Sequence, residues 1–468
     1  MRGYEKCELV GDLSGAPEQD TRGRGGGVLL WLGHDLQPRN YRDNTYPFRQ
    51  SSHFLYYAGI SAPYLAVLSY PDPDYDVLFA PPAHIDDIVW MGAAPTRVEL
   101  AQQAGIDTVE EIGRLGAYLT RARSQGLHVH YLPPYQASSL FRLAELLVID
   151  PTDVIPGASE RLAEEVVKQR SVKSDLEVAE IEEALQVTNR MHRAAMTAAR
   201  PGTHEYRIAG CIQGIAFSEN RQQSYNPIVT VRGEALHNHS YDNRLEDGQL
   251  LLNDSGAESP GHYASDITRT FPVSGRFSQA QTEVYETVLR AQSSAIQQIK
   301  PGVPYREVHL HTSRVVAEGL RAMGLMRGDP AGAVDAGAHA LFFPHGLGHM
   351  LGLDVHDMED LGDIVGYPKG EKRSPQFGLN FLRLARPLET GFVLTVEPGI
   401  YFIPALIDRW RSEGLHLDFI NYDRLEPFRS FGGIRIEDDV LVTAGGARVL
   451  GPGIPRTVAE VEEAMGNR

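Results

Sequence analysis

Cysteine is almost absent from this chain of 468 residues, which contains only Cys7 and Cys211. Two cysteines can build neither a disulfide framework nor a cysteine-rich zinc site, so both kinds of scaffold are excluded. Long apolar runs are missing as well. The longest run near the N-terminus, residues 28–32, is far too short for a signal-peptide core or a membrane span. We therefore expect a cytoplasmic protein without a membrane partner.

Positive charge is in deficit, because 44 Lys and Arg residues stand against 61 Asp and Glu residues, giving a formal net charge of -17. A chain this acidic is repelled by nucleic acid and by anionic membranes, so neither is an expected partner. The length predicts two to three domains, with enough chain to build a large core.

Two aspartates stand in surroundings where a carboxylate needs a positive partner, because burial disfavours its charged form. Asp254 ends the apolar run 250–253, and Asp266 opens the alternating segment 266–271. The turn signal at 259–261 predicts a hairpin in which the two acids lie roughly opposite each other. Like charges across a strand pair repel, and a cation between them would remove the repulsion.

Two glutamates also lie where a buried carboxylate needs a positive partner. The apolar run 392–396 predicts a buried strand that ends at Glu397, where the chain turns. The alternation in 432–437 predicts a strand that places Arg435 and Glu437 on one face. Arg435 would then orient a carboxylate or the substrate, with a plain salt bridge to Glu437 as the alternative.

A glycine-broken segment, residues 345–357, contains three histidines. His345 and His349 are four residues apart, but no Glu follows His345 and the glycines disfavour the helix of a zincin site. One histidine as a metal ligand, with the others reaching a substrate, fits better. The residues that read as metal ligands are Asp254, Asp266, His349, Glu397 and Glu437.

At this point the chain resembles a known family. The motifs are Asn253-Asp254-Ser255-Gly256-Ala257-Glu258, Ser265-Asp266-Ile267-Thr268-Arg269-Thr270-Phe271-Pro272, His345-Gly346-Leu347-Gly348-His349, Thr395-Val396-Glu397-Pro398-Gly399 and Ile434-Arg435-Ile436-Glu437-Asp438. In this order they closely resemble the aminopeptidase P and prolidase group of dinuclear metallopeptidases, over essentially the whole chain.

The resemblance implies an α+β protein. Its catalytic domain would be a C-terminal "pita-bread" domain, residues 171–468. An α/β creatinase-like N-terminal domain, residues 27–170, would precede it, after a flexible lead-in at 1–26. The family also implies a homo-oligomer, either a dimer or a tetramer.

The resemblance assigns the metal ligands individually. Asp254 would bind one metal, His349 and Glu397 would hold the other, and Asp266 and Glu437 would bridge the two. A hydroxide between the metals would be the nucleophile. Mn(II) is the metal we expect, with Co(II) or Zn(II) as alternatives, because the site is rich in oxygen ligands and has one imidazole.

The resemblance also assigns residues that act on the substrate. His345 and His356 would be catalytic, together with Glu397, which would handle protons as well as ligate. His237, Arg435, Arg383 and Tyr225 would bind substrate. Arg383 matches the position at which prolidases bind the free carboxylate of a dipeptide. The alternative for Arg383 is a solvated surface arginine, and the alternative for Tyr225 is a core-packing residue. His239 is expected to be an ordinary residue.

The implied function is an exopeptidase that hydrolyses the N-terminal Xaa-Pro bond of small proline-containing peptides. The sequence does not separate a prolidase, which cuts dipeptides, from an aminopeptidase P, which cuts longer peptides. The alternatives are another pita-bread hydrolase, with methionyl aminopeptidase or organophosphate hydrolase activity, and a non-catalytic peptide-binding module.

Local patterns predict the secondary structure that carries these residues. In the N-terminal part, strands are expected at 28–32, 65–68, 77–80 and 129–132, and helices at 96–103 and 109–118. Farther on, a long helix should begin after Ser174 and bury the stripe Val178, Ile181, Leu185, Thr188, Met191 and Ala195. A second helix at 280–299 ends, like the first, at a Pro-Gly pair, which indicates a faint internal duplication.

Overall fold

The chain divides into two compact units, with the division between Gln169 and Arg170. The computed structural model describes residues 27–70 and 75–466. The predicted lead-in, residues 1–26, therefore lies outside the described residues. Within the described ranges, no helix combines the length and the apolar character that crossing a membrane would need.

A mixed five-stranded sheet forms the centre of the first unit, in the order β6-β5-β4-β1-β7. The strands of this unit are β1 (Gly27–Leu32), β2 (Pro38–Tyr41), β3 (Asn44–Thr45), β4 (Ala66–Ser69), β5 (Asp76–Ala80), β6 (Thr108–Glu111) and β7 (His128–His130). The helices are α1 (Ser52–Ala58), α2 (Ile85–Met91), α3 (Arg97–Ala104), α4 (Leu115–Ser124), α5 (Ala137–Leu147), α6 (Pro151–Val154) and α7 (Glu160–Ser171). Among the described residues, strands β2 and β3 form a separate two-stranded sheet.

The predicted strands of the first unit agree with the structure to within one or two residues. The helix predicted at 96–103 is α3, and Thr96 caps it in a capping box with Glu99. The helix predicted at 109–118 is wrong, since β6 occupies its first part and α4 begins only at Leu115. Pairing of β6 with β5, which places Val109 beside Leu78, overrides the local helical pattern.

Three small sheets form the strand layer of the second unit, in the orders β10-β9-β8, β11-β14-β15 and β12-β13. Its strands are β8 (Ile228–Thr230), β9 (Leu250–Asp254), β10 (Thr268–Pro272), β11 (Val393–Val396), β12 (Gly399–Tyr401), β13 (Gly433–Arg435), β14 (Asp438–Thr443) and β15 (Gly446–Val449). Its helices are α8 (Asp175–Ala198), α9 (Glu205–Ser218), α10 (Gln279–Gln298), α11 (Tyr305–Ala322), α12 (Pro330–Asp335), α13 (Pro404–Ser412) and α14 (Val458–Gly466).

The predicted duplication is visible in two helix pairs. Helix α8 begins at the Ser174 cap, and the whole predicted apolar stripe is buried. Helix α10 begins at the Ser278 cap. Each long helix ends at a Pro-Gly pair in which the glycine has a positive φ, 90° at Gly202 and 84° at Gly302, and a second helix follows.

The acidic hairpin forms, but its register differs from the prediction. Asp254 pairs with Thr268, so Asp266 lies two residues before the start of β10 and not opposite Asp254. The long turn between the strands takes up the difference through a bridge between Glu258 and Ala264, with His262 at φ 67°. Both aspartates still end on the same side of the sheet, because two residues restore the side-chain alternation.

Candidate metal centre

A single cavity of about 1080 Å³ in the second unit contains the site predicted from the sequence. The predicted residues that line it are Tyr225, His237, Asp254, Asp266, His345, His349, His356, Arg383, Glu397, Arg435 and Glu437. His239, which we expected to be an ordinary residue, lines the cavity too. These side chains are scattered over more than two hundred positions in the sequence, and the fold brings them to one place.

Three of the predicted ligands form a compact, buried cluster. One ligand atom from each of Asp266, His349 and Glu437 lies within 4.8 Å of the other two. Asp254 and Glu397 lie at the edge of this cluster: Glu397 Oε1 is 3.9 Å from His349 Nε2, and Asp254 is tied to neighbouring side chains.

A close approach of two backbones delivers His349 to the cluster. A Cβ atom on Gly348 would lie 2.0 Å from the carbonyl oxygen of Thr395, so only glycine fits there. The backbone N–H of His349 donates to Thr395 Oγ1 at 3.2 Å, and the N–H of Thr395 donates to the His349 carbonyl at 3.0 Å. This pairing places His349 beside the end of β11, where Glu397 follows.

The imidazole of His349 presents Nε2 to the acids. Its Nδ1 lies 3.0 Å from the Met350 carbonyl, an acceptor, so Nδ1 carries a hydrogen. Nε2 lies 3.5 Å from Asp266 Oδ2. Burial lowers the pKa of His349, but the contact with Asp266 and the charge of Glu397 outweigh it and raise that pKa to about 8. A nitrogen fixed in this tautomer and aimed at carboxylates is suited to bind a metal ion.

Crowding of negative charge is severe around this cluster. Burial, followed by Asp266 and Glu397, raises the pKa of Glu437 well above its ordinary value. Burial also raises the pKa of Glu397 to about 7, although His349 and Arg435 act in the opposite direction. These carboxylates are therefore stable as anions only where further positive charge compensates them.

Tyr225 joins the two aspartates of the hairpin. Its hydroxyl lies 2.5 Å from Asp254 Oδ1 and 2.5 Å from Asp266 Oδ1. A phenol has a single hydrogen, so it can donate to only one of these oxygens at a time. The other carboxylate needs a proton or a cation, and the alternative reading of Tyr225 as a core-packing residue does not describe these contacts.

Arg435 is buried and contacts a carboxylate, as predicted, but the carboxylate is that of Asp254. Its guanidinium donates to Asp254 Oδ2 at 2.5 Å, to Thr268 Oγ1 at 3.0 Å and to the Tyr401 hydroxyl at 3.0 Å. The alternative of a plain salt bridge between Arg435 and Glu437 is therefore wrong. Thr268 links Arg435 to Glu437, because its hydroxyl accepts from Arg435 and donates to Glu437 Oε2 at 2.6 Å.

Sequence reasoning missed Thr268 and Tyr401, which both support the acids and the histidines. Thr268 lies inside a predicted motif, two positions after Asp266, and Tyr401 lies two positions beyond the motif that ends at Gly399. Tyr401 also fixes His345. Because His345 Nδ1 donates to the Gly346 carbonyl at 2.8 Å, its Nε2 accepts from the Tyr401 hydroxyl at 2.9 Å. Burial and Arg435 lower the pKa of His345 to about 3, so the ring is neutral.

Two other predicted histidines lie near the cluster as neutral rings. His356 packs edge-on against His349, with ring centroids 4.4 Å apart. Burial, followed by the charge of His349, lowers the pKa of His356 to about 2. Burial and then Arg435 also lower the pKa of His237. Neutral imidazoles can donate or accept a hydrogen bond without adding charge to the cavity.

The turn that carries His356 is held by a buried ion cluster, which the sequence did not reveal. Asp357 accepts from Arg170 at 2.6 Å and from Lys173 at 2.9 Å, and all three side chains are 1% exposed. Asp357 is 187 positions from Arg170 along the chain. No local pattern could connect residues at that separation.

The residues present fit a divalent metal ion. Carboxylate oxygens and one imidazole are the ligands that Mn(II), Co(II) and Zn(II) accept, and the donor atoms converge in a buried site. Tyr225 has a single hydrogen for two carboxylates, and Arg435 contacts only Asp254 of the two, so a cation in the cluster would also compensate Asp266.

Comparison with known families gives two matches to this chain. Metallopeptidase family M24 matches residues 179–444, which include the whole cluster. The N-terminal domain of aminopeptidase P matches residues 14–130. The two matches follow each other in the order that the motifs predicted, and the second unit contains the first of them.

Individual relatives agree with these matches. Human Xaa-Pro dipeptidase is 33% identical over 448 residues, covering 94% of this chain and 89% of the relative. A probable Xaa-Pro aminopeptidase of Emericella nidulans is 32% identical over 455 residues, covering 94% and 93%. Among solved structures, Pseudomonas aeruginosa aminopeptidase PepP superposes with a TM-score of 0.79 at 30% identity, covering 100% of this chain and 98% of the other. The predicted fold class, a pita-bread domain that follows an aminopeptidase P N-terminal domain along the chain, is confirmed.

Proposed function

The chain belongs to metallopeptidase family M24, in its aminopeptidase P and prolidase group, and from this premise we propose that the metallo-exopeptidase hydrolyses the N-terminal Xaa-Pro bond of small peptides. The observation that carries the proposal is the convergence of Asp266, His349 and Glu437 within 4.8 Å in a cavity large enough for a short peptide.

The ligand set is proposed as the motifs assign it. Asp254 would hold one divalent ion, His349 and Glu397 a second, and Asp266 and Glu437 would be shared between them. Mn(II) is the proposed metal. Two such cations would supply the Lewis acidity for activating a water nucleophile and for polarising the scissile carbonyl.

Glu397 is suited to hold and release a proton during the reaction. One of its oxygens, Oε1, lies 3.9 Å from Nε2 of His349, the other proposed ligand of the same metal ion. Its other oxygen, Oε2, lies 3.9 Å from His345 Nδ1, so the carboxylate stands between the metal cluster and the histidine loop. We assign the proton handling to Glu397 for this reason.

The neutral histidines would contact the peptide. His356 and His237 line the cavity, and their lowered pKa values keep them uncharged, so each can offer an N–H without repelling a cation. His345 has both ring nitrogens occupied by Gly346 and Tyr401 in this conformation. Contact of His345 with a substrate would therefore require exchange of the Tyr401 hydrogen bond.

Specificity for proline is supported by the cavity wall and by the family. Phe377, Phe381 and Leu406 line the same cavity as Arg383. An apolar wall suits the proline ring, and a tertiary amide brings no N–H that would need a partner. Arg383 would bind the carboxylate of a dipeptide through its planar guanidinium.

Matched peptides test the proposal directly. The purified protein, stripped of metal and reloaded with Mn(II), should cleave Ala-Pro or Ala-Pro-Ala-Ala, and it should leave Ala-Ala-Ala-Ala intact. Elemental analysis of the same sample should find bound divalent metal. Cleavage of neither proline peptide, with metal demonstrably bound, would overturn the proposal, and an inability to bind metal would favour a non-catalytic peptide-binding module.

A methionyl aminopeptidase is disfavoured by the match of the N-terminal part to the aminopeptidase P N-terminal domain. A peptide beginning with Met-Ala belongs in the same assay as a comparison, and preferential cleavage of it would favour that alternative.

A further inference from the structure

Arg383 already has an acidic partner inside the protein. Its Nη1 forms a hydrogen bond and ion pair with Oε2 of Glu359. The two side chains are only partly exposed, 36% for Arg383 and 28% for Glu359. Of the two, Arg383 is the one that lines the cavity.

The position of Glu359 is fixed by the turn that carries His356. Met358, which is buried, has φ 61°, an uncommon conformation for a residue that is not glycine. It precedes a short 3₁₀ turn, Glu359–Leu361, whose first N–H donates to the His356 carbonyl at 3.3 Å. Asp357 holds the other side of the turn through its buried cations. Glu359 is therefore presented to Arg383 by a braced segment and not by a free loop.

The backbone of Arg383 is held by the same stretch of chain. A Cβ atom on Gly366 would lie 1.8 Å from the Arg383 carbonyl oxygen, and the Gly366 carbonyl accepts from Ala385 at 2.8 Å. Arg373 donates to the Leu382 carbonyl at 2.9 Å. Neither partner can move far from the other without breaking these contacts.

We propose that Glu359 is a specificity-determining residue that disfavours dipeptides and favours peptides that continue beyond proline. This inference rests on the proposed function and deepens it. The carboxylate of an Xaa-Pro dipeptide would have to share the guanidinium of Arg383 with Glu359, and two adjacent carboxylates repel. A longer peptide places an uncharged amide at that position, so it meets no such repulsion.

The test compares Ala-Pro with Ala-Pro-Ala-Ala in the Mn(II)-loaded wild type and in Glu359→Gln, which removes the charge and keeps the shape. We expect the ratio of kcat/KM for the dipeptide to kcat/KM for the tetrapeptide to rise about tenfold, the size of one charge-assisted contact. The change should lie in KM for Ala-Pro, with kcat little altered. The double variant Glu359→Gln/Arg383→Met should lose the gain, because the guanidinium is then absent.

The control is Glu371→Gln. Glu371 lies in the same stretch of chain and pairs with an arginine, Arg306, but neither residue lines the cavity. This variant should keep the wild-type ratio. An unchanged or lower ratio in Glu359→Gln, an equal rise in Glu371→Gln, or a gain that survives Arg383→Met would each overturn the proposal.

A binding measurement separates this proposal from the proposed function. Calorimetric titration of the metal-free protein with Ala-Pro and with Ala-Pro amide needs no turnover. Glu359→Gln should tighten Ala-Pro about tenfold and leave the amide, which has no carboxylate, unchanged. If the wild type cleaved neither peptide, the proposed function would fall, and this titration would still decide the role of Glu359: equal effects on both ligands, or no effect, would refute it.

Discussion

Replacing Asp357 by asparagine should destabilise the protein strongly, although Asp357 is not among the proposed metal ligands. Asp357 neutralises Arg170 and Lys173, and all three side chains are 1% exposed. Removing one partner of a buried ion pair leaves uncompensated charge in a low-dielectric interior, which typically costs about 3–5 kcal/mol. Asparagine keeps the size and an acceptor oxygen, so the cost would come mainly from charge.

Urea unfolding monitored by circular dichroism measures this effect, with midpoints compared at equal slope. The control is Glu182→Gln, which breaks the exposed pair between Glu182 and Arg448 and should cost under about 1 kcal/mol. Lys173→Met should cost less than Asp357→Asn, because it leaves Arg170 paired with Asp357. The double variant Asp357→Asn/Lys173→Met should be more stable than Asp357→Asn alone, since it removes Lys173, the cation whose ion pair with Asp357 is lost, while Arg170 keeps its contact with Asp354.

The pH dependence provides an independent check. Burial raises the pKa of Asp357, but Arg170 and Lys173 outweigh burial and hold it below its ordinary value. A carboxyl group with a lowered folded-state pKa stabilises the protein above its unfolded pKa, about 3.9, and this contribution is lost as the pH falls through the folded value. The difference in free energy of unfolding between wild type and Asp357→Asn should therefore be largest at pH 7 and should decrease only below about pH 4. A cost for Asp357→Asn equal to that of Glu182→Gln, or a gap that closes near neutral pH, would refute the reasoning.

Three further predictions concern the metal centre. Glu437→Ala should lower the bound metal measured by elemental analysis and abolish turnover. His239→Ala, which removes a cavity residue outside the cluster, should retain the metal. Equal loss of metal in both variants would argue against the cluster as the metal site. Mn(II) at a hundredfold excess over Kd should stabilise the protein by about 2.7 kcal/mol, and a chelator should reverse this stabilisation. A thermal midpoint that changes with neither Mn(II) nor the chelator would contradict metal binding to the folded state. Tyr225→Phe should lower the thermal midpoint of the metal-free protein more than that of the Mn(II)-loaded protein, because the hydroxyl and the cation compensate the same two carboxylates. An equal shift in both forms would count against this role of Tyr225.

The acids that line the cavity could be singled out from the sequence because their signal is local. An acid such as Glu397, at the end of an apolar strand, conflicts with burial, and that conflict can be read without any knowledge of the fold. The helix beginning after Ser174 was equally readable, since its cap and apolar stripe lie within one continuous segment. Assignment of roles to the individual ligands stays a prediction until metal and turnover are measured.

The errors share a different cause, which is pairing between distant segments. The segment 109–118 has a helical pattern, yet its first residues complete the edge of the first sheet. The partner of Arg435 is Asp254, 181 positions away, and not the adjacent Glu437. The hairpin register moved by two residues because the loop before Thr268 forms its own short bridge. Sequence spacing contains none of this information, since tertiary contacts decide it.

Charge balance explains why the buried cluster around Asp357 and the candidate metal centre have different roles. Around Asp357 the protein supplies its own counter-charges, because Arg170 and Lys173 both pair with Asp357 and Arg170 also lies 3.5 Å from Asp354. In the metal centre the four carboxylates face Arg435 and, when protonated, His349. The first cluster is complete without a ligand and can serve as a fixed support for the histidine turn. The second lacks positive charge, and that deficit gives it an affinity for cations, at the cost of raised pKa values wherever none is bound.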